Sequence, residues 1–149
     1  MISDKLYRII ICATLPVLFA TASAQGRRAV TYQSTHAGGH NMEMSVYLYD
    51  DVDVQPQFPG GDNAMLQYIN RERRYPAEAY NAGVEGRVLC SFIVSADGRV
   101  LNVEVIKGHE ESLNREAVRI IRNMPRWEAG RMGNTPVPVY CILPIPFRL

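Results

Sequence analysis

The sequence has few cysteines, no apolar run of spanning length, no excess of either charge and no familiar catalytic motif. Each shortage excludes something. Three cysteines in 149 residues exclude a disulfide-dense mini-protein. Eleven glycines and nine prolines exclude collagen. A formal net charge of +1 argues against a nucleic-acid binder driven by counterion release, which needs a basic face. No HExxH, GxSxG, P-loop, dinucleotide-binding or EF-hand pattern occurs. His36, His40 and His109 lack a nucleophile-and-base context. His36 and His40 are four apart, but Gly38 and Gly39 between them oppose the helix that would align them. Neither a metal site nor a cofactor is expected. The chain reads as a binding or transmission module, not an enzyme.

What is present is unevenly distributed. Residues 1–24 carry Lys5 and Arg8, then an uncharged run from Ile9 to Ala20 broken by Pro16, then Ala22-Ser23-Ala24. This is the pattern of a cleaved signal peptide with Gln25 as the mature N-terminus. The alternative is a short inner-membrane anchor, although a spanning helix wants about 20 apolar residues. Export would place the protein where disulfides form. It would also remove Cys12, leaving Cys90 and Cys141.

Residues 25–55 read as a flexible spacer, with a strand expected at 46–54, among Val46, Tyr47, Leu48, Tyr49, Val52 and Val54, that docks on the domain. From Pro56 the chain becomes periodic. Phe58-Pro59-Gly60-Gly61 is a turn cluster. Asp62 is expected to cap a helix carrying Met65, Leu66, Tyr68 and Ile69. Tyr75-Pro76 ends it, and a short helix follows over Ala77 to Ala82, closed by Gly83.

A hairpin comes next, Val88 to Val94 and Val100 to Val105, turning at Asp97-Gly98. The change of parity between Val100 and Val103 predicts a bulge. Ser112 is expected to cap a third helix with Leu113, Ala117, Ile120, Ile121 and Met124 on one face. Trp127 reads as an anchor of the core or of the domain edge.

The last segment alternates. Val137, Val139, Cys141, Leu143, Ile145 and Phe147 share one face, and Pro138, Pro144 and Pro146 share the other. Proline cannot donate to a ladder, so this strand belongs at a sheet edge. Two readings of that edge stand: protection against aggregation, or a place kept open for an incoming strand. The element order implies an α+β fold with helices on one face of a small antiparallel sheet. Cys90 and Cys141 are either a cross-strand disulfide or two small buried hydrophobes.

Several blocks stand in a characteristic order: Phe58-Pro59-Gly60-Gly61, Tyr75-Pro76 with Ala79 and Gly83, and Gly86-Arg87-Val88. Phe92-Ile93-Val94 with Asp97-Gly98, Met124-Pro125-Arg126-Trp127, Pro136-Val137 and Leu143-Pro144-Ile145-Pro146-Phe147 follow. Over residues 56–149 this series resembles the C-terminal domain of TonB-family energy transducers in the form seen in Bacteroidetes-type bacteria. The resemblance implies two helices on a three-stranded antiparallel sheet in the periplasm. It implies a partner, the TonB box of a TonB-dependent outer-membrane receptor, added as a strand along Val137, Pro138, Val139, Tyr140, Cys141, Ile142 and Leu143. It implies ExbB and ExbD as further partners if the N-terminus is an uncleaved anchor.

Two features depart from a full transducer. The N-terminus looks cleavable, and residues 25–55 contain no proline where transducers carry a Pro-rich stalk. That spacer reaches at most about 100 Å extended and roughly 30 Å relaxed. The alternative is therefore a soluble periplasmic interaction module, homodimeric through the same edge, that transduces no energy.

Overall fold

The computed structural model describes residues 20–22, 28–35 and 41–149. Most of residues 1–24, where the signal peptide is expected, together with His36 and His40, lies outside them. Among the described residues no helix is long and apolar enough to cross a membrane.

The chain is α+β. Its strands are β1 (Ala20–Ala22), β2 (Arg28–Thr35), β3 (Asn41–Leu48), β4 (Gly86–Val94), β5 (Val100–Lys107), β6 (Arg131–Met132), β7 (Thr135–Pro136) and β8 (Val139–Phe147). The helices are α1 (Gly61–Glu72), α2 (Ala77–Asn81) and α3 (Glu111–Arg122). Six strands form one sheet in the order β1-β2-β3-β8-β4-β5, and β6 and β7 form a separate small ribbon. The expected three-stranded antiparallel sheet is its β8-β4-β5 part.

The spacer expectation is corrected here. Residues 28–35 and 41–48 form an antiparallel pair, and the strand expected in 46–54 runs over Asn41–Leu48 instead. The chain leaves the strand through a single 3-10 turn at Tyr49–Asp51. The sequence alternates Met42, Met44, Val46 and Leu48, a period-two pattern that starts earlier than the acidic cluster suggested.

The core lies between the sheet and the helices. Leu113, Ala117, Ile120 and Ile121 of α3 are fully buried, against Val88, Cys90, Phe92 and Val94 of β4 and Val139, Cys141, Ile145 and Phe147 of β8. Trp127 packs edge-on against Phe58 and Phe92, with centroids 5.7 and 5.5 Å away. It is the anchor the sequence implied.

Both expected helix caps fall elsewhere. Gly60, not Asp62, precedes α1, at φ 85°; Asp62 sits in the first turn, where its charge favours the helix dipole. The N-cap of α3 is Glu110, whose carboxylate accepts the Ser112 and Leu113 N–H groups at 3.0 and 3.3 Å. It also accepts the Ser112 hydroxyl. The hydrogen bond from that hydroxyl, followed by the one from the Ser112 backbone, holds Glu110 below the ordinary carboxylate range. Ser112 is thus the capped residue and Glu110 the cap.

The hairpin turn is as expected. Gly98 adopts φ 84°, and its N–H donates to the Ser95 carbonyl at 2.9 Å. A Cβ there would stand 2.1 Å from the Trp127 carbonyl oxygen, so glycine is required twice over. The predicted bulge is real: Ser91 pairs with Glu104 and Ile93 with Leu101, which leaves an extra residue on β5. Asn102, inside it, has φ 50°. A second irregularity falls between Leu89 and Cys90. Bulges twist a strand and spoil it as a template for pairing, so β5 is a blunted outer strand.

Candidate functional site: the last strand

β8 pairs with β4 residue for residue, from Val94–Val139 to Gly86–Phe147, without a bulge. Its burial alternates strictly, odd residues buried and even residues partly exposed. The same parity governs the backbone. In an antiparallel ladder each residue turns its N–H and C=O to one side, and successive residues alternate. The Pro138 carbonyl accepts the Tyr47 N–H of β3 at 2.9 Å, so even residues face away from β4. Pro146 agrees, since its carbonyl accepts Arg73 Nη1 at 2.7 Å. The odd residues carry the β4 ladder. The prolines at 138, 144 and 146 therefore cost that ladder nothing, because their missing N–H groups would point outward.

The far side of β8 is divided into three parts. At its start β3 lies alongside in parallel, pairing Tyr47 with Val139 and Leu48 with Tyr140. At its end Arg73 occupies the Pro146 carbonyl. Between them stand the Ile142 N–H, the Ile142 carbonyl and the Pro144 carbonyl. None of the three meets a partner among the described residues. This corrects the expectation of a plain edge strand: β8 is interior over Val139–Tyr140 and open only beyond.

The expected partner-binding residues are thereby sorted. Val137 is buried and its N–H donates to the Gly130 carbonyl at 2.9 Å. Pro138, Val139 and Tyr140 lie beside β3. Tyr140 is opposite Ile93. Burial raises its phenol pKa, and a hydrogen bond with the Ser91 hydroxyl opposes this. Cys141 and Leu143 face the core. Of the seven, only Ile142 has outward backbone groups left unpaired among the described residues. Tyr47, Leu48 and Arg73 are participants that sequence reasoning missed. Arg73 stands two residues before Tyr75-Pro76, and only the fold brings it to the far end of the chain.

Cys90 and Cys141 are free thiols. Cys90 lies opposite Leu143, and Cys141 opposite Phe92. They are thus diagonal neighbours, whose Cβ atoms stand about 7–8 Å apart or somewhat less, beyond the roughly 3.5–4.5 Å that a disulfide needs. Burial pushes the Cys90 thiol up to about 11 and the Cys141 thiol up to about 12. They serve the core as small hydrophobes.

The rear of the site is braced by one ion-paired cluster. Glu116 Oε1 accepts the Arg74 N–H at 2.8 Å, and Arg119 grips both Glu116 oxygens at 2.8 Å. Arg119 Nη2 also donates to the Glu72 carbonyl at 2.6 Å. This ties α3 to the end of α1 and holds the 73–76 segment against β8. Burial would raise the Glu116 pKa, but the bonds from Arg119 and the Arg74 backbone outweigh it and the net shift is downward.

The profile of the family described as Gram-negative bacterial TonB protein C-terminal matches residues 71–149. That stretch is more than half of the chain and contains α2, α3 and the whole β8-β4-β5 sheet. The chain belongs to this family. Among curated proteins, the TonB protein of Helicobacter pylori strain J99 is 36% identical over 76 residues, which cover 48% of this chain and 27% of that protein. TonB of Salmonella typhimurium LT2 is 32% identical over 76 residues, covering 51% of this chain and 30% of that one. This chain therefore spans well under half the length of the TonB proteins it matches. The solution NMR structure of the Helicobacter pylori TonB C-terminal domain is 28% identical, covering 58% of this chain and 90% of that domain with a TM-score of 0.46.

Proposed function

We propose that this TonB C-terminal family member works in the periplasm and binds the TonB box of an outer-membrane receptor by strand addition along β8, in support of energy-coupled transport. One observation carries the reading. The bulge-free β8 presents backbone groups at Ile142 and Pro144 that are unpaired among the described residues, while β5, at the end of the sheet, is bulged. Each backbone hydrogen bond contributes roughly 0.5–1.5 kcal/mol net, and association costs roughly 4–15 kcal/mol. A contact of this length is weak and reversible, as a device that must engage and release requires. Backbone pairing also tolerates many partner sequences.

The signal-peptide reading bears on what the chain does with that contact. Cleavage after Ala24 would remove β1 and give a free periplasmic binder. Retention would give an anchored chain able to meet ExbB and ExbD. Titration of the isotope-labelled protein with TonB-box peptides tests the binding: the Ile142 amide signal shifts at millimolar peptide. An unmoved Ile142 signal refutes it. A homodimer through the same edge would instead show as concentration-dependent sedimentation without peptide.

A further inference from the structure

Two observations concern the part of β8 that is not open. β3 covers it with only two residue pairs, in parallel, whereas on its other side β3 pairs with β2 over seven residues. Parallel pairing is slightly less stable per residue than antiparallel. The 3-10 turn that follows directly, Tyr49–Asp51, contributes no buried residue. The β2–β3 pair can thus leave β8 as a unit without losing any of its own pairing. It is held by the short ladder to Val139 and Tyr140, which includes the Tyr47 N–H on Pro138, together with the buried side chain of Val46 and Tyr47 packed at the margin of the core.

We infer that β3 is a displaceable occupant of the edge, and that an incoming strand competes with the chain's own Tyr47–Leu48 for Val139–Tyr140. This rests on the reading of β8 as the partner-binding strand. With β3 in place, the edge offers a visitor only Ile142 and the Pro144 carbonyl. With β3 released, it also regains the Pro138 carbonyl and the groups of Tyr140, and it roughly doubles in length. The occupant also describes the visitor. It is an extended peptide with consecutive apolar residues in the positions of Val46, Tyr47 and Leu48, the middle one turned toward the helices.

A latch in the full chain tests this. Leu48 and Tyr140 are direct partners across β3 and β8, so Leu48→Cys with Tyr140→Cys allows a reversible disulfide between the strands. The native Cys90 and Cys141 thiols are buried and do not interfere. Two probes are used, a TonB-box peptide and a synthetic peptide with the sequence of residues 41–51. The oxidised chain is expected to bind both at least tenfold more weakly than the same chain reduced. In a second variant, Tyr47→Pro removes the N–H that reaches Pro138. It is expected to bind both peptides at least tenfold more tightly than the unaltered chain, with the Tyr140 and Ile142 amides shifting together. Equal binding by oxidised and reduced chains, with Ile142 still responding, overturns the competition and leaves strand addition standing. No binding by any form overturns both.

Discussion

The outward phase of the even residues in β8 makes a sharp prediction about proline. Ile142 is partly exposed and turns its N–H away from β4, as Pro144 and Pro146 do. Ile142→Pro therefore breaks no ladder hydrogen bond, and its neighbour Cys141 is already extended, as a residue before proline must be. The cost is the lost part of a half-buried side chain, about 1 kcal/mol. Leu143 is its opposite. It is buried and lies across from Cys90 within the ladder. Leu143→Pro leaves the Cys90 carbonyl unsatisfied, about 1–3 kcal/mol, and shrinks a core side chain, about 2–3 kcal/mol. The sum, about 3–6 kcal/mol, is comparable to the whole stability of a marginal domain. Urea unfolding followed by circular dichroism separates the two variants. With m of about 1–3 kcal/mol/M, the midpoint moves by no more than about 1 M for Ile142→Pro and by roughly three to six times as far for Leu143→Pro. The Ile142 variant should stay folded yet lose binding of a TonB-box peptide, because the open stretch has no other donor. If Ile142→Pro unfolds as readily as Leu143→Pro, the assignment of outward and inward residues is wrong, and with it the argument for the edge.

Two further outcomes follow from local geometry. Gly98→Ala places a Cβ against the Trp127 carbonyl at a left-handed φ and should cost about 3 kcal/mol; fluorescence of Trp127, the sole tryptophan, reports it, and an unchanged unfolding midpoint would refute the close approach. Glu116 has a folded pKa below its ordinary 4.5, so its stabilisation is fully present above 4.5 and is lost as pH falls through the lower folded value. Glu116→Gln should cost about 2 kcal/mol at pH 7, and the gap to the unaltered protein should close on acidification; a gap that stays constant down to pH 3 would mean that the ion pair contributes nothing.

Much of this was legible because it is local. The Asp97-Gly98 turn, the parity slip that became the β5 bulge and the apolar face of α3 are all written within a few residues of where they act. The proline parity of the last segment correctly told which face of β8 is buried. It could not tell what lies beside the strand, because period-two patterning fixes a side chain's face and leaves its neighbour open. Hence the strand expected to dock on the domain had no assigned place, which proved to be beside Val139–Tyr140, and Cys90 and Cys141 were on the right face but in diagonal register. The helix caps erred for a related reason. Ser112 and Asp62 are good capping types, yet the backbone direction set by Glu110 and by the Gly60-Gly61 turn decided which residue stands at the boundary. Arg73 was invisible because its partner, Pro146, lies 73 positions away.

The single donor at Ile142 between flanking acceptors has one more consequence. A visiting strand that slips by two residues still finds carbonyls, but where it seeks an N–H it meets the ring of Pro144. The open stretch of β8 is therefore keyed. It accepts one alignment of a peptide and rejects its neighbours, and it does so through the backbone alone, whatever side chains the visitor carries.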